Sequence, residues 1–313
     1  MDFLPLTDNA TRQAIDSASI FMEWRRAVAA ARPYVGGMYF KRVGDYEYLV
    51  KTSPDNRQQR MGRRSPEAEA TLEAFIRNKQ HAEARRSSLR EALDEAVRLN
   101  KAVKAGRVPN PVIAVLNALE DASLGEHFTV VGTHALYAYE AAAAVRIVQG
   151  ALATQDVDLL WDARKRMQFL ATMHRLHRSV LSVLRDAEPS FQRMEGQAET
   201  AIDAKGFQVD FLRREAKEGD EHPFRFTNDE DDLWPVQAQR AELFLNAPRF
   251  EQVVISVTGR MSLMRTVDPR VFVEFKRWMT GLAERPAGKR RRDDLQAGIV
   301  ERLLGEGFIV SQA

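Results

Sequence analysis

Residues 154–162 read TQDVDLLWD, and the fold turns on how that stretch is read. Asp156 and Asp158 stand two positions apart in a run of Val157, Leu159, Leu160 and Trp161 that otherwise has the composition of a buried strand. In a strand, residues two apart point to the same face, so both acids project together while Val157 and Leu159 pack on the other side. Two like charges held that close repel, and burying them without partners is costly. A divalent cation would resolve the conflict.

The neighbouring segments strengthen that reading. Upstream, residues 127–150 read HFTVVGTHALYAYEAAAAVRIVQG. The apolar run 128–131 predicts a strand, Gly132-Thr133 a tight turn, and the alanine-rich stretch a helix. A strand-to-helix turn offers backbone N–H groups and a helix dipole to a phosphate, and glycine lets the backbone approach closely. Downstream, AETAID (198–203) and FQVDFLRR (207–214) predict two more strands, the second carrying Asp210. Asp156, Asp158 and Asp210 on adjacent strands would give an all-oxygen site of the kind that suits Mg²⁺, which keeps several waters and also binds substrate phosphates. Such ions clamp the attacking and leaving oxygens in phosphoryl-type transfer.

Composition sets the outer bounds. The chain has 313 residues, 44% of them hydrophobic, enough for one large domain or two ordinary ones. Lys and Arg total 46 against 44 Asp and Glu, so no global field points to nucleic acid or membrane, and any basic site is local. The absence of cysteine excludes disulfides, thiolate metal sites and a cysteine nucleophile. The first residues lack a signal-peptide pattern, and no apolar run approaches the roughly 18 residues needed to span a bilayer. A cytoplasmic protein with no membrane partner is expected.

Along the chain, residues 9–31 predict an amphipathic helix, and residues 35–51 a β-hairpin in which Met38, Phe40, Tyr46, Tyr48 and Val50 alternate with their neighbours. SPDNRQQRMGRRSP (53–66) reads as a polar loop. A long charged helix follows to about Ala105, with Phe75, Ile76, Leu89, Leu93 and Val97 as its buried stripe. Residues 163–185 predict one helix, residues 215–232 an acidic loop, QVVISVTG (252–259) a strand, and two last helices are separated by the basic loop PAGKRRR (286–292). The expected class is α+β, with a mixed-sheet core at 125–262. An N-terminal helical region with the hairpin would occupy 1–124, and a C-terminal helical region 263–313.

The order Val131-Gly132-Thr133, Thr154-Gln155-Asp156-Val157-Asp158-Leu159, Val209-Asp210-Phe211 resembles the DNA polymerase β-like nucleotidyltransferase fold, whose pattern is a Gly-Ser/Thr turn, an Asp-x-Asp strand and a third acid. Within it, the chain is similar to a prokaryotic group of nucleotidyltransferases distantly similar to abortive-infection nucleotidyltransferase toxins. The hairpin, DPRVFVEFKRW (268–278) and residues 289–297 share in that likeness. The resemblance implies transfer of a nucleoside monophosphate from an NTP such as ATP to an RNA (tRNA) or protein hydroxyl, with Mg²⁺ or Mn²⁺ as cofactor. It implies that Asp156 and Asp158 hold the catalytic metals, that Asp210 completes the site and helps activate the acceptor, and that Gly132 and Thr133 contact the triphosphate. Lys276 is placed with the nucleotide, and Lys289 and Arg292 with phosphate or acceptor. Here a longer alanine-rich helix separates turn and acids than is usual in the superfamily, and threonine replaces the commoner serine.

Plainer readings stand beside these. Residues 289–292 also read as a solvated basic loop, and Lys276 as an ordinary helix lysine. His174 and His177 share a helix face but lack a third ligand, which favours a surface role. His134 lies one residue past the turn. Tyr39, Tyr46 and Tyr48 suit either base stacking or the packing of a small sheet. No P-loop, dinucleotide or serine-hydrolase motif is present. The alternative to an enzyme is a catalytically inactive module of the same fold that binds RNA or protein.

Overall fold

The computed structural model describes residues 2–54, 56–152, 154–220, 222 and 224–312. The chain forms two compact units, one of Ile15–Leu99 and one of Met1–Ala14 with Asn100–Ala313. The chain opens with β1 (Phe3–Pro5) and helix α1 (Asp8–Ala31), which stops where Pro33 follows. Next come β2 (Gly37–Val43) and β3 (Tyr46–Thr52), the expected hairpin. A third strand, β4 (Gln58–Arg63), adds to β3, although its residues read as a polar loop. The discrepancy has a simple cause: every β4 residue is exposed, so no apolar alternation marks it. Helix α2 (Pro66–Ala102) follows with proline at its first position. Its Phe75 and Leu93 are buried as expected, but Ile76 is 44% exposed.

The larger unit is built on a mixed sheet of eight strands, as the α+β reading requires. Its remaining elements are α3 (Asn110–Asp121), β5 (Phe128–Val131), α4 (Ala135–Ala142), β6 (Val145–Ile147), α5 (Gln149–Leu152), β7 (Asp156–Trp161), α6 (Arg166–Leu176), α7 (Val180–Ala187), β8 (Gln192–Met194), β9 (Gln197–Ile202), β10 (Gln208–Arg214), β11 (Val236–Ala238), α8 (Glu242–Asn246), β12 (Arg249–Ile255), β13 (Met261–Val267), α9 (Pro269–Thr280) and α10 (Ala287–Gly305). The strand order is β12-β13-β5-β7-β10-β9-β8, with β11 also on β10. β5 runs antiparallel to β7 and β10 parallel to it, so β7 is central. β1 pairs separately with β6. No described helix is long and apolar enough to cross a membrane.

Three helical expectations are corrected. The alanine-rich helix ends at Ala142: Ala144 takes φ 50°, and the chain re-enters as strand β6. The helix expected over 163–185 is two, because His177 adopts the left-handed conformation that ends α6. Ser179 then caps α7, and the buried Asp232 carboxylate accepts from the backbone N–H of Val180 (3.3 Å) and Leu181 (3.0 Å). PAGKRRR is not a loop throughout, since residues 287–292 form the first turns of α10.

The acidic segment 215–232 is tied down by aromatic residues. Phe224 stacks on Trp161 at 4.4 Å between ring centroids, and Phe226 meets Phe128, Phe169 and Phe211 edge-on or tilted at 5.3–5.8 Å. Such pairs contribute about 0.5–1.5 kcal/mol each beyond the area they bury. They fill one side of β7 and β10, leaving the opposite side to the acids.

Candidate metal and nucleotide site

The register of three strands assembles the site. Asp158 lies beside Asp210 in the parallel β7–β10 ladder and beside Val131 in the antiparallel β5–β7 ladder. Along β7, Val157 and Leu159 are buried while Asp156 and Asp158 on the other face are half-buried, as the strand period demands. One carboxylate oxygen from each of Asp156, Asp158 and Asp210 lies within 4.8 Å of the other two, the only such cluster of potential metal ligands among the described residues.

The turn after β5 is shaped around Asp158. Gly132 adopts φ 68°, a conformation that residues with a side chain rarely take. A Cβ placed on it would lie 2.3 Å from Asp158 Oδ2. Glycine is therefore required twice, by conformation and by the close approach of the carboxylate. Thr133 follows, buried, in a short 3-10 turn that leads into α4.

Each acid has a different setting. Thr200 Oγ1 donates to Asp210 Oδ1 at 2.6 Å, and Thr154 Oγ1 donates to Asp156 Oδ1. Among the described residues, none donates a hydrogen bond to the Asp158 carboxylate. Burial, reinforced by the Asp156 and Asp210 charges, pushes the Asp158 carboxyl up to about 7 against the opposing pull of Lys276 and Arg292. Burial also raises Asp210, against the Thr200 hydrogen bond. His134 is held neutral, its imidazole pushed down to about 4 by burial despite the nearby Asp156 charge.

This arrangement is electrostatically incomplete in a way that a cation would complete. Oxygens bound to one Mg²⁺ at about 2.0–2.1 Å lie no more than roughly 4.2 Å apart, close to the separation found here. Three acidic oxygens, with the Asp156 and Asp210 carboxylates each also held by a threonine hydroxyl, fit a hard cation in donor type and spacing.

The basic residues fall into three situations. Lys276 Nζ is buried and donates to Asp293 Oδ1 at 2.8 Å, and Arg285 pairs with the other Asp293 oxygen. Burial alone would raise the Asp293 carboxyl, but Arg285 and Lys276 outweigh it and hold it below the usual range. Lys276 is thus anchored at the α9–α10 contact while its charge still acts on Asp158. Arg292, half-buried on α10, also acts on Asp158. Lys289 is exposed on the first turn of α10, and no contact joins it to the acids. His174 and His177 stand outside the cluster, with ring centroids 5.6 Å apart.

Gln296 is the residue that sequence reading left without a role. It is fully buried, and its Nε2 donates both to Thr133 Oγ1 (3.2 Å) and to the Ala151 carbonyl (2.7 Å). Because that carbonyl only accepts, the orientation of the amide is determined. The Thr133 oxygen thus receives a hydrogen bond from inside the protein.

A family model described as Nucleotidyltransferase matches residues 110–309. The chain belongs to this nucleotidyltransferase family. Among curated proteins and among solved structures, no significant match was found. The nucleotidyltransferase match includes the acids, the Gly132 turn, Lys276, Arg292 and Gln296, whereas the three-stranded sheet β2–β4 precedes it.

Proposed function

We propose that the protein is a Mg²⁺- or Mn²⁺-dependent cytoplasmic enzyme that transfers a nucleoside monophosphate from an NTP to a hydroxyl of an RNA or protein acceptor and releases pyrophosphate. The observation that carries this reading is the convergence of Asp156, Asp158 and Asp210 beside a glycine turn whose backbone is shaped to admit Asp158. Asp156 and Asp158 would hold the cation, with Asp210 completing the site. The bound ion supplies charge neutralisation and polarisation of the phosphate oxygens.

The chain's own groups supply the rest. Gly132 and Thr133 offer backbone N–H groups and one hydroxyl proton to the triphosphate, in a turn packed against the Asp158 carboxylate. Lys276 and Arg292 add positive charge where a polyphosphate would bring four negative ones. The acceptor oxygen attacks the α-phosphorus, its proton passes to the Asp210 carboxylate, and the bond from the α-phosphorus to its bridging oxygen breaks. No covalent enzyme intermediate is needed, so catalysis rests on positioning and on charge stabilisation fixed in advance.

The test is incubation of purified protein with each α-labelled NTP, Mg²⁺ or Mn²⁺, and total cellular RNA or protein. Label should appear in a discrete band with the intact chain and vanish with Asp156→Asn or Asp158→Asn. Label that persists in both variants would remove the acids from the reaction.

A further inference from the structure

The three-stranded sheet of the smaller unit has two chemically different faces. Strand alternation and register put Met38, Phe40, Arg42, Glu47, Leu49 and Lys51 on one side. That side packs inward: Leu49 is buried, the Lys51 ammonium lies 5.9 Å from the Phe75 ring of α2, and Arg64 is neutralised by Glu47 and Glu69, both at 2.7 Å. Arg42, on the same side beside Glu47, is exposed and donates to the Gly44 carbonyl at 3.3 Å.

The opposite face carries Tyr39, Lys41, Tyr46, Tyr48, Arg60 and Arg63. Val50 at one end is covered, but Tyr39 is 39% and Tyr46 52% exposed, and Lys41, Arg60 and Arg63 are exposed as well. The Arg60 guanidinium lies 4.3 Å from the Tyr48 ring centre, and that of Arg63 lies 4.1 Å from Tyr46. Among the described residues no carboxylate stands on this face and neither arginine forms an ion pair. Arg60 and Arg63 thus lie over tyrosine rings without a carboxylate partner, whereas Arg64 on the other face is paired twice. Guanidinium planes and tyrosine rings are the surfaces on which unpaired bases stack, and the cations match a phosphate backbone.

We infer that this face of the β2–β4 sheet is a binding platform for single-stranded RNA, and, resting on the nucleotidyl-transfer reading, that RNA is the acceptor. The platform lies outside the residues matched by the family and uses none of the groups assigned to the metal and nucleotide site. Cross-strand pairing of exposed arginines with tyrosines stabilises a sheet only weakly, which does not account for gathering three cations and three tyrosines on one face.

The test is fluorescence anisotropy of a labelled 20-nucleotide single-stranded RNA with the full chain, without NTP or metal. Three phosphate contacts on a single strand predict a log–log salt slope near −2, or about a 15-fold loss of affinity from 50 to 200 mM salt. Arg60→Ala/Arg63→Ala should flatten the slope by about 1.4, and Tyr46→Ala should weaken binding about tenfold or more. Neither change should move the thermal midpoint beyond the range of surface substitutions, and duplex RNA should bind less well. The inference is overturned if the RNA does not bind, if the sheet variants bind like the parent, or if Arg290→Ala/Arg291→Ala on α10 abolishes binding while the sheet variants do not. The two readings fail separately. RNA binding through the sheet with no nucleotide transfer sinks the enzyme, and transfer to protein with no RNA binding sinks the platform.

Discussion

Replacing Asp158 by asparagine should stabilise the metal-free protein, and the size of the effect follows from the site. The Asp158 carboxyl is raised from 3.8 to about 7 by burial and by two neighbouring acids. Ionising it in place therefore costs about 4 kcal/mol at most, at 1.36 kcal/mol per pH unit. Water entering the half-open cluster reduces that, so about 1–3 kcal/mol is the expected gain. For a unit of this size that is roughly 3–10 °C in thermal midpoint. The sign follows from proton uptake. Between pH 4 and 7 the folded chain binds a proton at Asp158 that the unfolded chain has released, so metal-free stability falls as pH rises across that window. Asp210, raised in the same direction, adds to the fall. Asp158→Asn removes the Asp158 share, so its advantage should grow from pH 4 to 7 and level off above. Mg²⁺ should raise the midpoint of the parent at pH 8 and leave the variant nearly unmoved. Scanning calorimetry from pH 4 to 8, with and without Mg²⁺, decides it. A variant less stable than the parent at pH 8 without metal, or an advantage independent of pH, would refute the electrostatic reasoning.

Other substitutions probe the supports of the site. Gly132→Ala forces a side chain into a left-handed conformation, at about 1–2 kcal/mol, and pushes the Asp158 carboxylate aside. Mn²⁺ affinity measured by electron paramagnetic resonance should fall at least tenfold, and in an Asp158→Ala background only the backbone penalty should remain in the melting curve. Gln296→Leu strips the donor from Thr133 Oγ1 and the Ala151 carbonyl, worth about 1–3 kcal/mol of stability; steady-state kinetics should show KM for the NTP rising more than kcat falls. Asp293→Asn leaves Lys276 and Arg285 without their shared counter-charge and should cost about 3–5 kcal/mol in urea unfolding. Because the Asp293 carboxyl is held below its ordinary value, that contribution should be present above about pH 4 and disappear in the parent as pH falls further.

The strands legible in the sequence are those where apolar residues alternate with polar ones or, as in β5, form an unbroken β-branched and aromatic run. Around their acids, residues 156–159 of β7 and 208–211 of β10 alternate buried apolar residues with half-buried polar ones, and the acids stand out against that pattern. β13 went unseen because it is buried along its whole length and reads MSLMRTV, where Arg265 is tolerated only through Glu120 and Glu251 from elsewhere in the chain. β6 was absorbed into an alanine-rich helix because what ends that helix is the pairing of residues 145–147 with the distant β1. The same divide runs through the site. The three acids and Gly132 announce themselves by type and spacing, whereas the Gln296–Thr133 contact joins residues 163 apart. The Lys276–Asp293 pair likewise exists only once α9 and α10 are packed together.

The most direct test of the central claim follows both ends of the nucleotide in one reaction. Purified protein, Mg²⁺ and cellular RNA are supplied with the same NTP labelled at the α- or at the γ-phosphorus. α-Label should be retained on the acceptor and γ-label should leave in pyrophosphate, in equal amounts, and both signals should vanish with Asp156→Asn/Asp158→Asn. Retention of γ-label on the acceptor, or label transfer unchanged in the double variant, would contradict nucleotidyl transfer at these carboxylates.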